Sequence, residues 1–279
     1  TNSSALTVST IFASAPAVKR SFPQLVDASM AVPEGFALEQ GWCAKSLLSR
    51  WPRDFAILWG TMTWASAATG TAIALALSGA LDRDGFPTSD AWAKAQPVKF
   101  DADWQGASSD TQRETEVRLL WTRETLFLRF SCRYRSLTTF SDSDPDGRRY
   151  QLWERDVAEV FLQPDPSAPH RYWEFEISPN GKWIDLDIDL DRPPGHQGNP
   201  GSGMKSRVVL DEKRKIWTAE IALPMRSLAP AFDPKKDWRV NFFRVEGPTE
   251  PRYYSSWQPT RTPQPNFHVP GAFGRLRFQ

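Results

Sequence analysis

Very little in this chain can bind a soft metal or form a covalent staple. Its 279 residues include two cysteines, Cys43 and Cys132, and three histidines, His170, His196 and His268. Two cysteines give no disulfide framework and no cysteine zinc site, and the histidines lack metal-ligand spacing. There is no Gly-x-Ser-x-Gly elbow and no glycine-rich phosphate loop, so the sequence offers no handle for hydrolase-type acyl transfer or nucleotide chemistry. An excess of one charge is also missing. Lys and Arg total 34 against 33 Asp and Glu, a net charge of +1. So balanced a surface does not draw a phosphate backbone, and nucleic acid is not an expected partner.

Long helical patterns are absent as well. With 23 Pro and 16 Gly, turns interrupt the chain often. From residue 81 onward, short runs alternate apolar and polar residues, which is the period of a strand with one face buried. In 114–122, Val117, Leu119 and Trp121 share a face, and in 125–134 Leu126, Leu128, Phe130, Cys132 and Tyr134 do. Cys132 therefore reads as a small apolar core residue. Arg123-Glu124 joins these two runs as a hairpin. Further runs lie at 156–164, 171–178, 183–189, 206–211, 216–224, 238–246, 252–257 and 273–278, and Pro179 to Lys182 makes a tight turn. About ten short strands separated by turns predict an all-β fold, an antiparallel β-sandwich. A single helical turn is expected at 224–230, and a long Pro/Gly loop at 191–203.

The beginning of the chain differs. Residues 1–53 are rich in Ser and Ala and show no sustained period, and the first residue is Thr, so a fragment or a misplaced gene boundary is expected there. Residues 55–80 carry no charge, follow Lys45, Arg50 and Arg53, and end in Ser78-Gly79-Ala80. Basic flank, apolar run and small-residue exit make a secretory-signal pattern. Its length also admits a membrane anchor, and Ile73 to Leu77 alone would serve as a first strand. The expected division is a poorly structured region over 1–80, with a signal or anchor segment at 55–80, followed by a sandwich domain over 81–279. The expected location is extracytoplasmic, secreted or periplasmic, with membrane contact only through that anchor.

The abundant residues are aromatic: 13 Trp and 17 Phe. Alternation assigns Trp121, Trp173 and Trp217 to the core, since each shares a parity with aliphatic neighbours. Trp153 precedes a strand, Trp257 ends one, and Trp183 heads the parity of Asp185, Asp187 and Asp189. An indole on a wet face has two uses. It can plug a sheet edge or the sandwich end, or it can stack on the C–H face of a sugar ring whose hydroxyl rim is bonded by acids, amides and guanidinium groups. Polar partners at hand are Glu159, Glu174, Glu176, Asn241, Arg244 and Gln258. Glu159 read alone is more commonly a solvated sheet charge.

Residues 141–147 place Asp142, Asp144 and Asp146 at alternate positions before Gly147. That is how a calcium loop opens. The EF-hand pattern fails at its twelfth position, which is Trp153, so a looser loop completed by Glu154 or Asp156 competes with a plain acidic turn. The carboxylates of 183–189 are spaced ~6.5 Å apart along one face of a strand, too far for neighbours to chelate one ion, and read as solvated.

Six segments in order, 84–92, 152–165, 172–185, 217–228, 238–247 and 266–278, resemble family 9 carbohydrate-binding modules and the bacterial family-9-like proteins. The resemblance covers roughly residues 75–279. It implies a jelly-roll-like β-sandwich that binds an oligo- or polysaccharide beside enzymes of carbohydrate catabolism, with calcium as a structural ion and no other cofactor. It also implies a sugar held between two tryptophans, the first a few residues ahead of a strand whose Glu bonds hydroxyls. Trp153 and Glu159 match that spacing, Trp257 matches the second plate, and Asn241 and Arg244 are further expected partners. Glu176 and Trp183, which the resemblance does not single out, complete the expected site from the strand pattern. Ala158 departs from the pattern, where such modules carry a polar residue.

Non-catalytic carbohydrate binding is therefore the expected function. Two alternatives compete: a glycoside-active enzyme using a carboxylate pair such as Glu159 and Glu176, and an electron-transfer sandwich holding b-type haem through Met204 with His170 or His196.

Overall fold

The computed structural model describes residues 70–193 and 201–279. Twelve strands form the fold: β1 (Thr71–Ala76), β2 (Val98–Phe100), β3 (Thr115–Trp121), β4 (Thr125–Arg133), β5 (Val157–Gln163), β6 (Arg171–Ile177), β7 (Trp183–Asp189), β8 (Lys205–Asp211), β9 (Ile216–Pro224), β10 (Trp238–Glu246), β11 (Tyr253–Ser256) and β12 (Gly274–Phe278). Two short helices, α1 (Ser89–Lys94) and α2 (Met225–Leu228), complete it. The strands hydrogen-bond in the order β7-β6-β5-β10-β12-β1-β3-β4-β9-β8, with β11 on β10 and β2 on β3. Every pairing is antiparallel except the two that β1 makes, with β12 and with β3.

The halves of this path face each other, which makes the sheet a sandwich. Ala158, Val160 and Leu162 of β5, Phe175 and Ile177 of β6, and Val240 and Phe242 of β10 share one core with Leu126, Leu128 and Phe130 of β4 and Trp217, Ala219 and Ile221 of β9. Cys132 lies in it, fully buried, and burial pushes its thiol up to about 11. Each such aliphatic or aromatic side chain stabilises the fold by about 1.5–3 kcal/mol on burial.

Both outer faces also carry apolar residues, so strand alternation here separates two buried faces rather than a dry one from a wet one. Behind β3, β4 and β9, Leu120, Phe127 and Ala222 pack under Phe86 and Trp92, the latter from α1. Behind β5, β6, β7 and β10, Phe161, Tyr172, Ile184, Leu186, Ile188, Phe243 and Val245 form a third cluster with Phe267, Phe273 and Leu152.

Several expectations change. β1 begins at Thr71 and lies between β12 and β3, so the last third of the stretch 55–80 holds a mid-sheet strand and the sandwich starts ahead of residue 81. Residues 1–69, including the rest of that stretch, Cys43 and the N-terminal region, lie outside the described residues. Among the described residues no helix is long and apolar enough to cross a membrane. α1 and the three-residue β2 carry too short a period to stand out in sequence. In β7 the faces are reversed from expectation. Trp183 pairs with Ile177 and Asp185 with Phe175, so that row faces the sandwich interior; Asp185 is 1% exposed, bonded by Arg148 at 3.3 Å and by the Ser202 backbone N–H at 2.8 Å. The aliphatic row lies on the outer face beside Glu174 and Glu176.

Candidate functional site

The third apolar cluster leaves an opening. A cavity of about 370 Å³ is lined by residues that include Trp153, Glu159, Glu174, Arg252, Tyr254 and His268, a size within the range of roughly 300–1,000 Å³ of small-ligand pockets. Its floor is sheet. Glu159 and Phe161 project from β5 and Glu174 from β6, all on the outer parity, with Leu186 and Ile188 of β7 and Val245 of β10 alongside.

The walls come from loops. Gln151 takes a left-handed conformation (φ 59°) and turns the chain into a single 3₁₀ turn, Leu152–Glu154. Leu152, fully buried, anchors that turn in the outer cluster. Trp153 is left half-buried at the cavity, its ring edge-on to Tyr150 at 5.4 Å. Opposite parities of β11 divide its neighbours: Tyr254 pairs with Val245 and faces the cavity, while Tyr253 faces the other way. Arg252 donates to the Trp153 carbonyl at 2.7 Å and to Glu250 at 2.9 Å, and it also bonds the Tyr254 hydroxyl. Burial, with a contribution from Glu250, pushes Tyr254 up to about 12, so this hydroxyl keeps its proton. His268 shares a 2.6 Å hydrogen bond with the buried Tyr172 of β6.

Three carboxyl groups meet under this floor. Ligand-type oxygens of Glu159, Glu174 and Glu176 all come within 4.8 Å of one another, because Glu159 pairs across the strands with Glu176 and Glu174 lies two residues from it on the same face. The three residues are 2%, 3% and 0% exposed. Neither oxygen of Glu176, nor Glu174 Oε2, meets a hydrogen-bond donor. Burial first, and Glu174 second, raise the Glu159 carboxyl well above the ordinary carboxylate range, with Arg252 pulling it back. Glu176 is raised in the same direction by burial, then by Glu159 and Glu174.

Of the residues expected from sequence, Trp153 and Glu159 stand at this cavity, and Glu176 lies beneath it. The others stand elsewhere. Trp257 packs against the sandwich core, tilted on Phe242 at 5.5 Å, and the backbones of Gly70 and Gly274 give it room: a Cβ on Gly274 would lie 2.6 Å from its ring. It does not line the cavity, so no two-tryptophan slot forms with Trp153. Arg244 shares the inward parity of Val240 and Phe242; it is fully buried, stacks over Trp217 at 5.1 Å and pairs with Glu246 at 3.4 Å. Asn241, also fully buried, bonds the backbone of Gln258 in both directions at 2.9 Å. Trp183 packs against the interior and donates its indole N–H to the Asp146 carbonyl at 3.1 Å. Ala158, the departure from the family pattern, points into the core and away from the cavity.

Asp142, Asp144 and Asp146 do not converge. All three are exposed; Asp146 accepts the Arg148 backbone N–H at 3.0 Å, and Asp142 lies 3.8 Å from Arg149. The turn serves itself, and its side chains do not fit a calcium ion. Met204 is buried in the core, and His170 pairs with Asp191 at an exposed position, which leaves the haem reading without converging ligands. His196 lies outside the described residues.

Arg252, Tyr254, Asn266 and His268 were not singled out from sequence. For two of them a signal existed: in 252–257, Arg252 and Tyr254 take the parity opposite to Trp257. Asn266 and His268 come from a loop with no period to read.

The sequence pattern of the "Carbohydrate family 9 binding domain-like" family matches residues 84–278. The chain belongs to that family. Solved family 9 structures share its fold. A carbohydrate binding module family 9 from Caldicellulosiruptor kristjanssonii, in complex with cellotriose, aligns with a TM-score of 0.55 at 14% identity over 75% of this chain and 94% of that one. The glucose complex gives 0.52 at 14% identity over 75% and 96%. A Bacteroides uniformis protein provisionally described as carbohydrate-binding aligns at 0.60, with 16% identity, over 76% of this chain and all of that one. A curated relative, an "Extracellular protein" of Arthroderma benhamiae, is 24% identical over 178 residues, 59% of this chain and 78% of the relative. Like the other family 9 structures, this chain is a β-sandwich.

Proposed function

We propose that this chain is a non-catalytic carbohydrate-binding protein and that the cavity beside Trp153 is where a sugar ring enters. The observation that carries this is the pairing of a half-buried indole with a floor of carboxyl groups for which the protein supplies few donors. Trp153 offers a plane to the C–H face of a ring, and Glu159 and Glu174 offer acceptors to its hydroxyls. Arg252 and Tyr254, bonded to each other and to Glu250, form the wall beside them. The membership in family 9, and the glucose and cellotriose bound by the C. kristjanssonii module, support the ligand class.

Glu159 and Glu174 rise from one sheet face and reach a ligand from the same side. A glycosidase places its two carboxyl groups on either side of the scissile bond, so binding without hydrolysis is the better reading. The extracellular relative supports export of this chain.

Tryptophan fluorescence titrated with glucose, cello-, xylo- and chito-oligosaccharides tests the proposal. A saturable change is expected in the wild type, with affinity reduced about tenfold or more in Trp153→Ala. No response to any of these sugars, or an unchanged affinity in the variant, refutes it.

A further inference from the structure

We propose that Glu159, Glu174 and Glu176 hold one hard divalent cation, of the calcium or magnesium class, under the floor of the cavity. The site differs in place and in chemistry from the acidic turn at 142–146, whose exposed side chains do not converge.

Two observations point to it. The first is geometric. Oxygens of all three groups lie within 4.8 Å of one another. Two oxygens on opposite sides of one calcium ion, each at about 2.3–2.6 Å, are separated by about 4.6–5.2 Å. The three groups therefore fit around a single ion with little movement.

The second is the state of Glu176. It is fully buried, both its oxygens lack any donor, and it lies among the other two carboxyl groups. A buried acceptor left without a partner is costly, and three acids in contact repel one another when ionised. The nearest cationic group on the wall, Arg252, is already engaged by Glu250, the Trp153 carbonyl and Tyr254. A small cation satisfies all three acids at once. Glu176 does not line the cavity, so a group that stays in the cavity does not partner it, whereas an ion seated among the three acids does. Three carboxylates without sulfur or imidazole favour calcium or magnesium over zinc or copper.

The ion site stands without the sugar proposal. Its consequence for ligands rests on that proposal: an ion here would turn its open side toward the hydroxyls of the bound ring.

The test uses the full chain, stripped with a chelator and free of sugar. Calorimetric titration with Ca²⁺ and with Mg²⁺ is expected to show one ion per chain. Tb³⁺ should bind the same site, with emission sensitised by tryptophan. Glu176→Gln should weaken uptake by roughly tenfold or more, and Asp144→Asn should leave it unchanged. Melting curves without metal report folding; Glu174→Gln is the second variant if Glu176→Gln does not fold. No uptake at millimolar metal, uptake indifferent to both Glu variants, or uptake abolished by Asp144→Asn overturns the proposal. So does displacement of Tb³⁺ by glucosamine but not by Ca²⁺ or Mg²⁺, which would assign the three acids to an ammonium group. Sugar binding that survives chelation leaves the carbohydrate proposal standing if the ion fails, and ion uptake without sugar binding does the reverse.

Discussion

The carbonyl oxygen of Trp153 accepts a hydrogen bond from Arg252 Nη1 at 2.7 Å, across 99 residues of sequence. One guanidinium thus fixes the loop that presents the indole and stands on the wall of the same cavity. Arg252→Ala is expected to lower sugar affinity by about tenfold, and Arg252→Lys to recover little of it, because an ammonium cannot span the carbonyl, Glu250 and Tyr254 together. Calorimetric titration of the sugar that binds the wild type measures both.

Trp257 is expected to matter for stability and not for binding. Trp257→Ala should cost about 3 kcal/mol, which for a domain of this size lowers Tm by roughly 6–12 °C, with sugar affinity unchanged. Gly274→Ala should also lower Tm, since its methyl would meet the indole ring and the Gly70 carbonyl, at 2.6 and 2.7 Å. A large loss of affinity in folded Trp257→Ala would return that residue to the site.

Glu246 and Arg244 form a fully buried ion pair, yet the two are not equivalent. Glu246 also accepts from Arg113 Nε and from the Arg135 backbone N–H, each at 3.1 Å. Glu246→Ala strands the Arg244 guanidinium in the core and should cost about 3–5 kcal/mol. Arg244→Ala leaves Glu246 with three donors, the Ser136 backbone N–H being the third at 3.4 Å, and should cost less. Urea denaturation gives the order through the midpoints, provided the slopes agree.

Asp156 gives a pH dependence of defined sign. Burial raises its carboxyl above the ordinary aspartate value, Arg244 opposes this, and one oxygen has no partner while the other accepts the Gly247 N–H at 2.8 Å. The folded state therefore holds this proton more tightly than the unfolded chain. Stability from this group is fully present below the unfolded value and is lost as pH rises from there through the raised folded value. Asp156→Asn keeps an acceptor for Gly247 and cannot ionise. The difference in unfolding free energy between the two proteins should shift in favour of the variant as pH rises from 3 to 7, read by denaturant titration at each pH.

Most of the sandwich was legible in sequence because alternation of period two is a strong local signal. β7, β9 and β10 run over the residues that the pattern marked. What alternation does not reveal is which of two apolar faces looks inward. In β7 the pattern assigns the acids to the wet side, yet Asp185 is buried beside Arg148 while Leu186 and Ile188 line the cavity. The same rule, applied to β10, places Arg244 with Phe242 inside the sandwich. Trp153 and Glu159 were legible through the resemblance to family 9 modules, whose pattern here lies within one short segment. Arg252 and His268 reach the cavity through tertiary placement of loops, for which no local pattern exists.

β1 carries a consequence for any shortened form of this protein. It is the link by which β12, from the end of the chain, reaches β3. Deleting residues through 80 would unzip the molecule along its middle, baring two strand edges and leaving the void of Ala72 and Ala74 between them. An autonomous folding unit has to start ahead of Thr71, well upstream of the family match at 84.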